Sequence, residues 1–276
     1  MDPIQIDIND YEYAGGGSNG DSYFHRTRPD IMLKLYLPGK IQQPLDEMQT
    51  ARKVYDAGIV TPEPGDYVVT GDGRYGISFR CIPGKKSYAR AVGENPEQVE
   101  AYASEFADMC RKLHSTPVDT SRFESVKDRY CRLLADNPFF TNAEKDKLAR
   151  FILDTPDTRT ALHGDLHFGN AIFSGPDRYF IDLGDFCYGH PLFDLGMVYV
   201  TGRLNDESYT REAFHMDRKT ASRFWEAFAA AYFGTDRPLS EIEEEIRPYA
   251  GLKTIMVERD TRRPMPEFRV ALNTII

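Results

Sequence analysis

The chain has 276 residues, of which 41% are hydrophobic and 28% charged, and its formal net charge is −9. These proportions are those of an ordinary globular protein, and the length suffices for one large core or two smaller ones. The negative charge argues against broad binding to nucleic acids or to anionic membranes, and it is compatible with a cationic substrate.

The sequence also bears on the location of the protein. No stretch approaches the roughly 18 consecutive apolar residues of a membrane helix, and the first residues lack the basic and apolar regions of a secretory signal. The four cysteines are scattered without a Cys-x-x-Cys pair, which favours reduced thiols over a disulfide framework or a zinc site. We therefore expect a cytoplasmic protein.

The first part of the chain predicts a small sheet with one helix. Apolar runs and alternating patterns predict strands at residues 4–10, 22–28, 31–37, 67–70 and 75–82. The last two strands would form a hairpin around the glycine-containing turn at residues 71–73. Helical spacing predicts a helix over residues 44–57, which Gly58 would end.

A glycine-rich stretch lies between the first two of these strands. Gly15, Gly17 and Gly20 fit the pattern G-x-G-x-x-G, but a dinucleotide-binding fold needs a helix directly afterwards, and a strand is predicted there instead. We interpret this stretch, which includes Ser18 and Asn19, as a flap between two strands whose backbone amides approach phosphates. The alternative is a solvent-exposed turn.

Lys34 lies in an otherwise apolar run, residues 31–36, where a cation needs a carboxylate or phosphate partner. Glu47, early on the predicted helix, is the candidate partner, although Asp46 is adjacent to it and Glu63 is near in sequence. The alternative is an edge-strand lysine whose ammonium group extends to water. The pattern favours an ion pair between the strand and the helix.

From residue 83 onward the sequence is mostly helical. Asn95 and Gln98 predict a capping box, and one apolar stripe follows over residues 99–113. Further helices are predicted at residues 123–135, 143–153, 221–232 and 240–249. The last of these is acidic, which we interpret as a solvated helix face rather than as a cradle for an amine substrate.

Two polar segments in this helical part carry the chemistry. One is the glycine-flanked loop His163-Gly164-Asp165-Leu166-His167-Phe168-Gly169-Asn170, and the other is Ile181-Asp182-Leu183-Gly184-Asp185, at the end of a short strand. Transfer of a phosphoryl group from ATP needs such a set of side chains. One carboxylate orients the accepting hydroxyl, while an amide oxygen and a second carboxylate hold magnesium.

The two segments resemble the motif of the aminoglycoside phosphotransferase and choline kinase superfamily, in which an H-G-D-x-x-x-x-N loop precedes an I-D-x-x-D strand. The resemblance implies that Asp165 is the catalytic aspartate and that Asn170 and Asp182 are the magnesium ligands. It also implies that Lys34 contacts the phosphates of ATP and that Glu47 holds Lys34.

Residues 189–196 resemble the family's G-D-P-x-x-D-L segment, with His190 in the place of its first aspartate. Asp194 then corresponds to the family's buried aspartate, which braces the catalytic loop. The implied fold class is α+β, a bilobal protein-kinase-like fold with a small antiparallel β-sheet N-lobe plus one helix and a larger, mainly helical C-lobe. Residues 1–83 would form the nucleotide-binding lobe, and residues 84–276 the helical lobe with the catalytic loop and the acceptor site.

The connection over residues 79–84 would be the hinge against which adenine packs, with backbone groups at Arg80 and Ile82 bonding the base. The function that follows is an ATP- and magnesium-dependent phosphotransferase acting on a hydroxyl of a small-molecule acceptor. Aminoglycosides, amino alcohols and sugar-like molecules all fit this description, and GTP stays open as an alternative to ATP.

Other interpretations stay open at this point. A protein kinase of the same fold is less compatible, because no Ala-Pro-Glu segment follows Asp182. A non-catalytic nucleotide-binding module would not need Asp165, Asn170 and Asp182 together. His163 and His167 have the spacing of zinc ligands on a helix, but the neighbouring glycines disfavour a helix and favour loop-holding hydrogen bonds.

Overall fold

The chain divides into two units. The structure is a computed structural model that describes residues 2–17 and 20–276, with the side chains of residues 259, 260 and 267 left aside. The first unit comprises Met1–Lys86 and Ile172–Asp185, and the second unit comprises Ser87–Ala171 and Phe186–Ile276. The segment Ile172–Asp185 therefore belongs to the same unit as the N-terminal residues. The predicted division of the chain at residue 83 did not include this second segment.

A six-stranded sheet forms the first unit, with the order β1-β5-β6-β4-β3-β2. Its strands are β1 (Ile4–Ile6), β2 (Tyr11–Gly17), β3 (Gly20–His25), β4 (Ile31–Tyr36), β5 (Pro64–Thr70) and β6 (Tyr75–Arg80). The described pairs are antiparallel, except that β1 pairs with β5 in parallel. The first strand is shorter than predicted, because the Asp7 side chain accepts a hydrogen bond from the Asn9 amide (3.0 Å) and a 3₁₀ turn begins there.

The alternation of side chains in β4 decides which residues enter which core. Leu33 and Leu35 are fully buried on one face of the sheet. Lys34 and Tyr36 point to the opposite face because successive side chains of a strand alternate. Helix α1 (Gln42–Asp56) covers that face and packs against the Tyr36 ring. The alternation thus directs Lys34 toward the helix that carries its predicted partner.

Shorter strands follow in the chain: β7 (Lys86–Ser87), β8 (Ala161–Leu162), β9 (Ala171–Ser174), β10 (Asp177–Phe180) and β11 (Cys187–Tyr188). Strand β9 lies between β10 and β7, and β8 pairs with β11 in antiparallel fashion. In the first unit, the Phe180 N–H donates to the Val60 carbonyl (3.0 Å) and the Ser174 hydroxyl donates to the Pro83 carbonyl (2.6 Å). These bonds hold the short strand that leads to Asp182.

Helices build the second unit: α2 (Tyr88–Glu94), α3 (Val99–His114), α4 (Val126–Ala135), α5 (Asn142–Asp154), α6 (Leu192–Tyr199), α7 (Glu207–Phe214), α8 (Arg218–Phe233), α9 (Leu239–Thr261) and α10 (Pro266–Arg269). The core between α3 and α8 is aromatic, with the Phe106 ring 5.9 Å from Phe224 and 5.5 Å from Phe228. The predicted apolar stripe of α3 is confirmed, since its residues are buried there.

Helix ends agree with the sequence only in part. Ser125 caps α4, and Thr141 forms a full capping box at α5. The predicted cap at Asn95 is wrong, because its side chain donates to the Ala91 carbonyl (3.3 Å) at the end of α2 instead. Helix α9 is longer than predicted and continues past Pro248, since buried apolar residues follow the proline.

The described chain is an α+β protein with a sheet-based N-terminal unit and a helical C-terminal unit, which confirms the predicted secondary-structure organisation. The helices that the structure describes fall short, in length or in apolar character, of what a membrane crossing requires.

Candidate active site

The loop from His163 to Asn170 follows strand β8 and carries the candidate catalytic aspartate. Gly164 has a φ of 85°, in the left-handed region that glycine adopts readily. Asp165 comes directly after this turn, and its side chain is 38% exposed. The loop therefore presents the carboxylate of Asp165 to solvent, where a substrate hydroxyl can approach it.

A buried carboxylate on helix α6 holds the start of this loop. Asp194 accepts hydrogen bonds from the backbone N–H groups of His163 (2.6 Å) and Gly164 (2.8 Å). The Nε2 atom of His114, at the end of α3, lies 3.2 Å from the same carboxylate. The structure confirms the bracing contact that the resemblance implied for Asp194.

The environment of Asp194 keeps it ionised. Burial raises the pKa of this carboxyl, but the hydrogen bond to His114, the electrostatic interactions with the rings of His114 and His163, and the hydrogen bond from the His163 backbone N–H together hold the pKa below its usual value. Hydrogen bonding to the charged form of a carboxyl stabilises that form. The start of the loop at residues 163–170 is thus attached to a fixed negative charge.

Both histidines of the loop accept hydrogen bonds from nearby amides of the same loop. The Nδ1 atom of His163 accepts from the Asp165 N–H (3.3 Å), and the Nδ1 atom of His167 accepts from the Gly169 N–H (3.0 Å). A neutral ring that accepts at Nδ1 carries its proton on Nε2. The loop-holding role that the sequence favoured over zinc binding is therefore the one that this geometry supports.

Asn170 closes the loop onto Asp165. Its Nδ2 atom lies 3.0 Å from the Asp165 carbonyl oxygen, which can only accept, so the nitrogen is the donor. The side-chain oxygen of Asn170 is consequently the atom left to serve as a metal ligand. The backbone N–H and carbonyl of Asp165 are both bonded within the loop, which fixes the base of its side chain.

A lysine on α9 also contacts the loop. The Nζ atom of Lys253 donates to the Gly164 carbonyl (2.6 Å), and the lysine is 4% exposed. Sequence reasoning did not single out this residue. Like Lys34, Lys253 lies in a largely apolar segment, and this pattern in the sequence indicates a cation that needs a partner.

In the first unit, Lys34 contacts two carboxylates, its predicted partner Glu47 and also Asp182, for which the sequence predicted a role as magnesium ligand and no contact with Lys34. Its Nζ atom lies 2.8 Å from Glu47 Oε1 and also donates to Asp182 Oδ1. Glu47 is the partner rather than its neighbour Asp46, which is bonded to Gln42 (2.6 Å). The other oxygen of Glu47 accepts from the Tyr36 hydroxyl, a contact that the sequence did not predict.

This cluster keeps Lys34 charged. Burial lowers the pKa of the ammonium group, but the carboxylates of Asp182 and Glu47 outweigh burial and raise the pKa above its ordinary value. Burial also raises the pKa of the Tyr36 phenol, which therefore remains a hydrogen-bond donor to Glu47. The cluster is a fixed positive charge held between two carboxylates.

Asp182 has an unusual backbone conformation. Its φ is 58°, in the left-handed region, which few residues other than glycine, asparagine and aspartate adopt. Strand β10 ends at Phe180, one residue earlier than predicted, and the chain turns at Asp182 into a short 3₁₀ helix. The turn leaves the side chain 48% exposed while it contacts Lys34.

The glycine-rich stretch is a β-hairpin, as predicted. Gly15 and Gly17 lie in β2, Gly20 begins β3, and Gly17 pairs with Gly20. A Cβ atom on Gly20 would lie 2.0 Å from the Leu35 carbonyl oxygen of the next strand, so packing alone requires glycine there. The remaining two residues of the predicted phosphate-binding set, Ser18 and Asn19, lie outside the described residues.

The predicted hinge begins where β6 ends. The Arg80 N–H donates to the Glu63 carbonyl (2.8 Å), so this group is already bonded. The hydrogen bonds found among the described residues include none from the Ile82 N–H, and the Ile82 carbonyl accepts a long bond from the Lys85 N–H (3.4 Å). Of the two predicted residues, Ile82 has the backbone donor that a base could use.

The predicted site residues therefore form two clusters. Lys34, Glu47 and Asp182 are in contact in the first unit, and Asp165 and Asn170 are in contact in the second. Within the described part of the chain, no group of three or more histidine, cysteine, aspartate or glutamate side chains is arranged to hold a metal ion.

These observations define the class of the protein: an α+β chain with one polar cluster around Lys34 in the sheet-based unit and another around Asp165 in the helical unit. A family model described as the phosphotransferase enzyme family, APH, matches residues 10–242. The chain belongs to this family. No curated protein matches the chain.

Several solved structures share the fold of this chain. A thermostable mutant of aminoglycoside phosphotransferase APH(4)-Ia is 15% identical, with a TM-score of 0.63 over 96% of this chain and 92% of that one. A choline/ethanolamine kinase family protein from Mesorhizobium loti is 18% identical, with a TM-score of 0.54 over 96% and 84%. APH(3'')-Id from Streptomyces rimosus is 18% identical, with a TM-score of 0.56 over 89% and 92%. The predicted kinase-like fold is thereby confirmed.

Proposed function

We propose that the chain transfers the γ-phosphate of ATP to a hydroxyl group of a small molecule, in a magnesium-dependent reaction. The observation that carries the proposal is the loop in which Asp165 is fixed at both backbone polar groups while its carboxylate stays partly exposed. A carboxylate held in this way suits the alignment of an incoming hydroxyl, because phosphoryl transfer depends mainly on positioning and on charge.

Asp165 is the proposed catalytic residue. Its carboxylate would accept a hydrogen bond from the acceptor hydroxyl, orient the oxygen toward the γ-phosphorus and take its proton as the new P–O bond forms. The bond between the γ-phosphorus and the bridging oxygen breaks at the same time, and ADP leaves with that oxygen. The hydrogen bonds within the loop keep the carboxylate from turning away during this exchange.

Asn170 and Asp182 are the proposed magnesium ligands. Magnesium prefers oxygen donors and is commonly held by one or two protein groups together with phosphates and water. The residues fit this requirement, because the nitrogen of Asn170 is bonded to Asp165 and its oxygen remains, while Asp182 offers a half-exposed carboxylate. When bound, the ion would neutralise the charge of the triphosphate.

The nucleotide contacts are proposed for the first unit. Lys34, oriented by Glu47, supplies a positive charge for the phosphates. The backbone of the hairpin would cover them, through Gly15, Gly17, Ser18, Asn19 and Gly20. At the hinge, the Arg80 carbonyl and the Ile82 N–H are the groups proposed to bond the base, because the Arg80 N–H is already bonded to Glu63.

The acceptor is proposed to be a small molecule bound by the helical second unit, in the region of residues 95–153 and after residue 199. Related structures support this class. One is an amicoumacin kinase in complex with AMP-PNP, calcium and its ligand, and another is an APH(4)-Ia mutant with ADP and hygromycin B. All four cysteines are free thiols, which supports a cytoplasmic setting for the reaction.

The test is a screen for acceptor-stimulated ADP release, with magnesium present or chelated. The panel contains aminoglycosides, amino alcohols, sugars and a generic protein substrate, each with ATP and with GTP. We expect magnesium-dependent stimulation by one small-molecule class. Phosphorylation of the protein substrate alone would show a protein kinase, and nucleotide binding without any transfer would show a binding module.

A further inference from the structure

Lys253 is a buried cation that the reaction as proposed above does not use. It lies on α9, 4% exposed, in a helix segment whose neighbouring side chains are largely buried. Burial of an ammonium group is strongly unfavourable unless it is paired or hydrogen-bonded. Its Nζ atom donates to the Gly164 carbonyl at 2.6 Å, which is a short charge-assisted hydrogen bond.

Gly164 is held by opposite charges at its two backbone groups. Its N–H donates to the buried carboxylate of Asp194 (2.8 Å), while its carbonyl accepts from the buried ammonium of Lys253. The residue has a φ of 85°, so both contacts act on a backbone conformation that a side chain would strain. Two helices of the second unit, α6 and α9, thus fix one glycine.

This glycine directly precedes the proposed catalytic aspartate. The Gly164 carbonyl belongs to the same peptide group as the Asp165 N–H, which donates to His163 Nδ1 (3.3 Å). That peptide plane is therefore fixed at its oxygen by Lys253 and at its nitrogen by His163. Rotation of the plane would move the Cα atom of Asp165 and with it the carboxylate.

We propose that Lys253 is a positioning residue for phosphoryl transfer, which sets the carboxylate of Asp165 through the Gly164 carbonyl. This inference rests on the proposed function for its catalytic readout. A misplacement of about 1 Å can lower a rate by about 10²-fold. Loss of the lysine contact should therefore lower kcat and leave the KM for the nucleotide nearly unchanged, because Lys253 contacts the loop of Asp165 and not the cluster around Lys34.

The test compares Lys253→Met, Lys253→Gln and Lys253→Arg with the wild-type chain. Methionine removes the donor and keeps the length, whereas glutamine and arginine keep a donor. Thr254→Val is the matched control, since Thr254 is the next residue of α9, fully buried, and its hydroxyl has no hydrogen-bond partner among the described residues. Circular dichroism and thermal melting establish which variants are folded.

Hydrogen exchange of the peptide that covers residues 163–170 gives a readout that needs no acceptor. We expect at least tenfold faster exchange of this peptide in Lys253→Met and no change in Thr254→Val. With an acceptor in hand, kcat should fall at least tenfold in Lys253→Met and recover in the order Gln, then Arg. If Lys253→Met does not fold, Lys253→Gln is compared with Lys253→Arg: the neutral and shorter glutamine should give faster loop exchange and a lower kcat than arginine, and equal values in the two variants would contradict the proposal.

Unchanged loop exchange in the folded variants would overturn the inference, and so would a fall of kcat and nucleotide affinity in parallel with melting temperature. These outcomes are distinct from a failure of the proposed function. If the proposed function is wrong, the wild-type chain shows no acceptor-stimulated ADP release. The hydrogen-exchange measurement then still decides whether Lys253 holds the loop.

Discussion

At the scale of single residues, the candidate site depends on charges that are fixed before any substrate binds. Asp194 and Lys253 contact the two backbone groups of Gly164, and Lys34 lies between the carboxylates of Glu47 and Asp182. Preorganised charges of this kind need no rearrangement during the reaction. Asp194, Lys253 and Glu47 are buried, and each of these groups has a specific hydrogen-bond partner.

The brace at Asp194 predicts a pH-dependent contribution to stability. Its pKa is lowered in the folded chain, so the contribution is fully present above the unfolded pKa of about 3.9 and is lost as pH falls through the lower folded value. Asp194→Asn should destabilise the chain by roughly 1.5–3 kcal/mol at neutral pH, the range for a hydrogen bond to a charged group. The difference from wild type should shrink below about pH 4.

Denaturant unfolding between pH 7 and pH 3 measures this difference. Asp236→Asn serves as the control, because Asp236 is an exposed carboxylate of the same unit. A destabilisation that stays constant down to pH 3 would show that the ionised form of Asp194 is not what holds the loop.

The loop at residues 163–170 was predictable because its sequence signal is local. Two glycines, an aspartate and an asparagine at fixed spacing specify a tight loop and its chemistry together. The contacts of Tyr36 with Glu47 and of Lys253 with Gly164 were not predicted. They join residues far apart in sequence, and only the packing of α1 and α9 decides which partners meet.

At the scale of elements, the hairpin of β2 and β3 requires glycine for packing, in addition to the contact with phosphates that we propose for it. Gly20 is predicted to lie near phosphates, but its contact with the Leu35 carbonyl already excludes a side chain. The glycine at position 20 therefore has a packing cause that does not depend on any bound nucleotide. Stability measurements can separate the two causes.

Gly20→Ala should destabilise the chain by roughly 1–3 kcal/mol, the range for overpacking, because its Cβ atom would lie 2.0 Å from a backbone oxygen. Gly17→Ala is the matched control in the same hairpin. A Cβ atom at Gly17 would lie 3.9 Å from its nearest neighbour, the Gly20 carbonyl oxygen, which is an ordinary van der Waals distance. Chemical denaturation of both variants tests the difference. Equal losses in the two variants would mean that the close approach to Leu35 is not what requires glycine.

Element types were largely predictable, and the misses have local causes. Alternation and turn residues gave the strands of the sheet, but periodicity does not encode whether β1 joins its neighbour in parallel. The chain after Pro248 remains helical because its apolar residues continue to be buried, which outweighs the missing N–H of proline. Asn95 is a residue type that commonly caps helices, but its side chain donates a hydrogen bond to the Ala91 carbonyl at the end of α2 instead.

At the scale of the whole molecule, the chain has a sheet-based unit that contains the cluster of Lys34, Glu47 and Asp182 and a helical unit that contains the loop of Asp165 and Asn170. The return of Ile172–Asp185 to the first unit brings Asp182 to Lys34, although the two are 148 positions apart. Family membership and fold agree with the sequence motif. Under the proposed function, the acceptor would be selected by the helices of the second unit, whose surface residues follow no pattern that the motif specifies.

Nucleotide binding should stabilise the folded chain measurably. A ligand at about 100 times its Kd adds about 2.7 kcal/mol, which corresponds to a rise of roughly 5 °C in Tm for a chain of this size. We expect this rise with ATP and magnesium in the wild type. Lys34→Met should reduce this rise in Tm strongly. The substitution removes the ammonium group of Lys34, which the neighbouring carboxylates keep protonated and which we propose to contact the phosphates.

Thermal unfolding with and without nucleotide measures the shift for each variant against its own unliganded Tm. Lys40→Met is the control, since Lys40 is an exposed lysine of the same unit. A shift in Lys34→Met as large as that of the control would contradict the assignment of Lys34 to the phosphates.

The most direct test of phosphoryl transfer by this chain compares Asp165→Asn with the wild type, using an acceptor from the screen. The single-turnover rate of acceptor phosphorylation and the Kd for ATP are measured separately. The account predicts that Asp165→Asn keeps its Kd and loses about 10²–10⁴-fold in rate, whereas Asp182→Ala is impaired in both. An unchanged transfer rate in Asp165→Asn would contradict it.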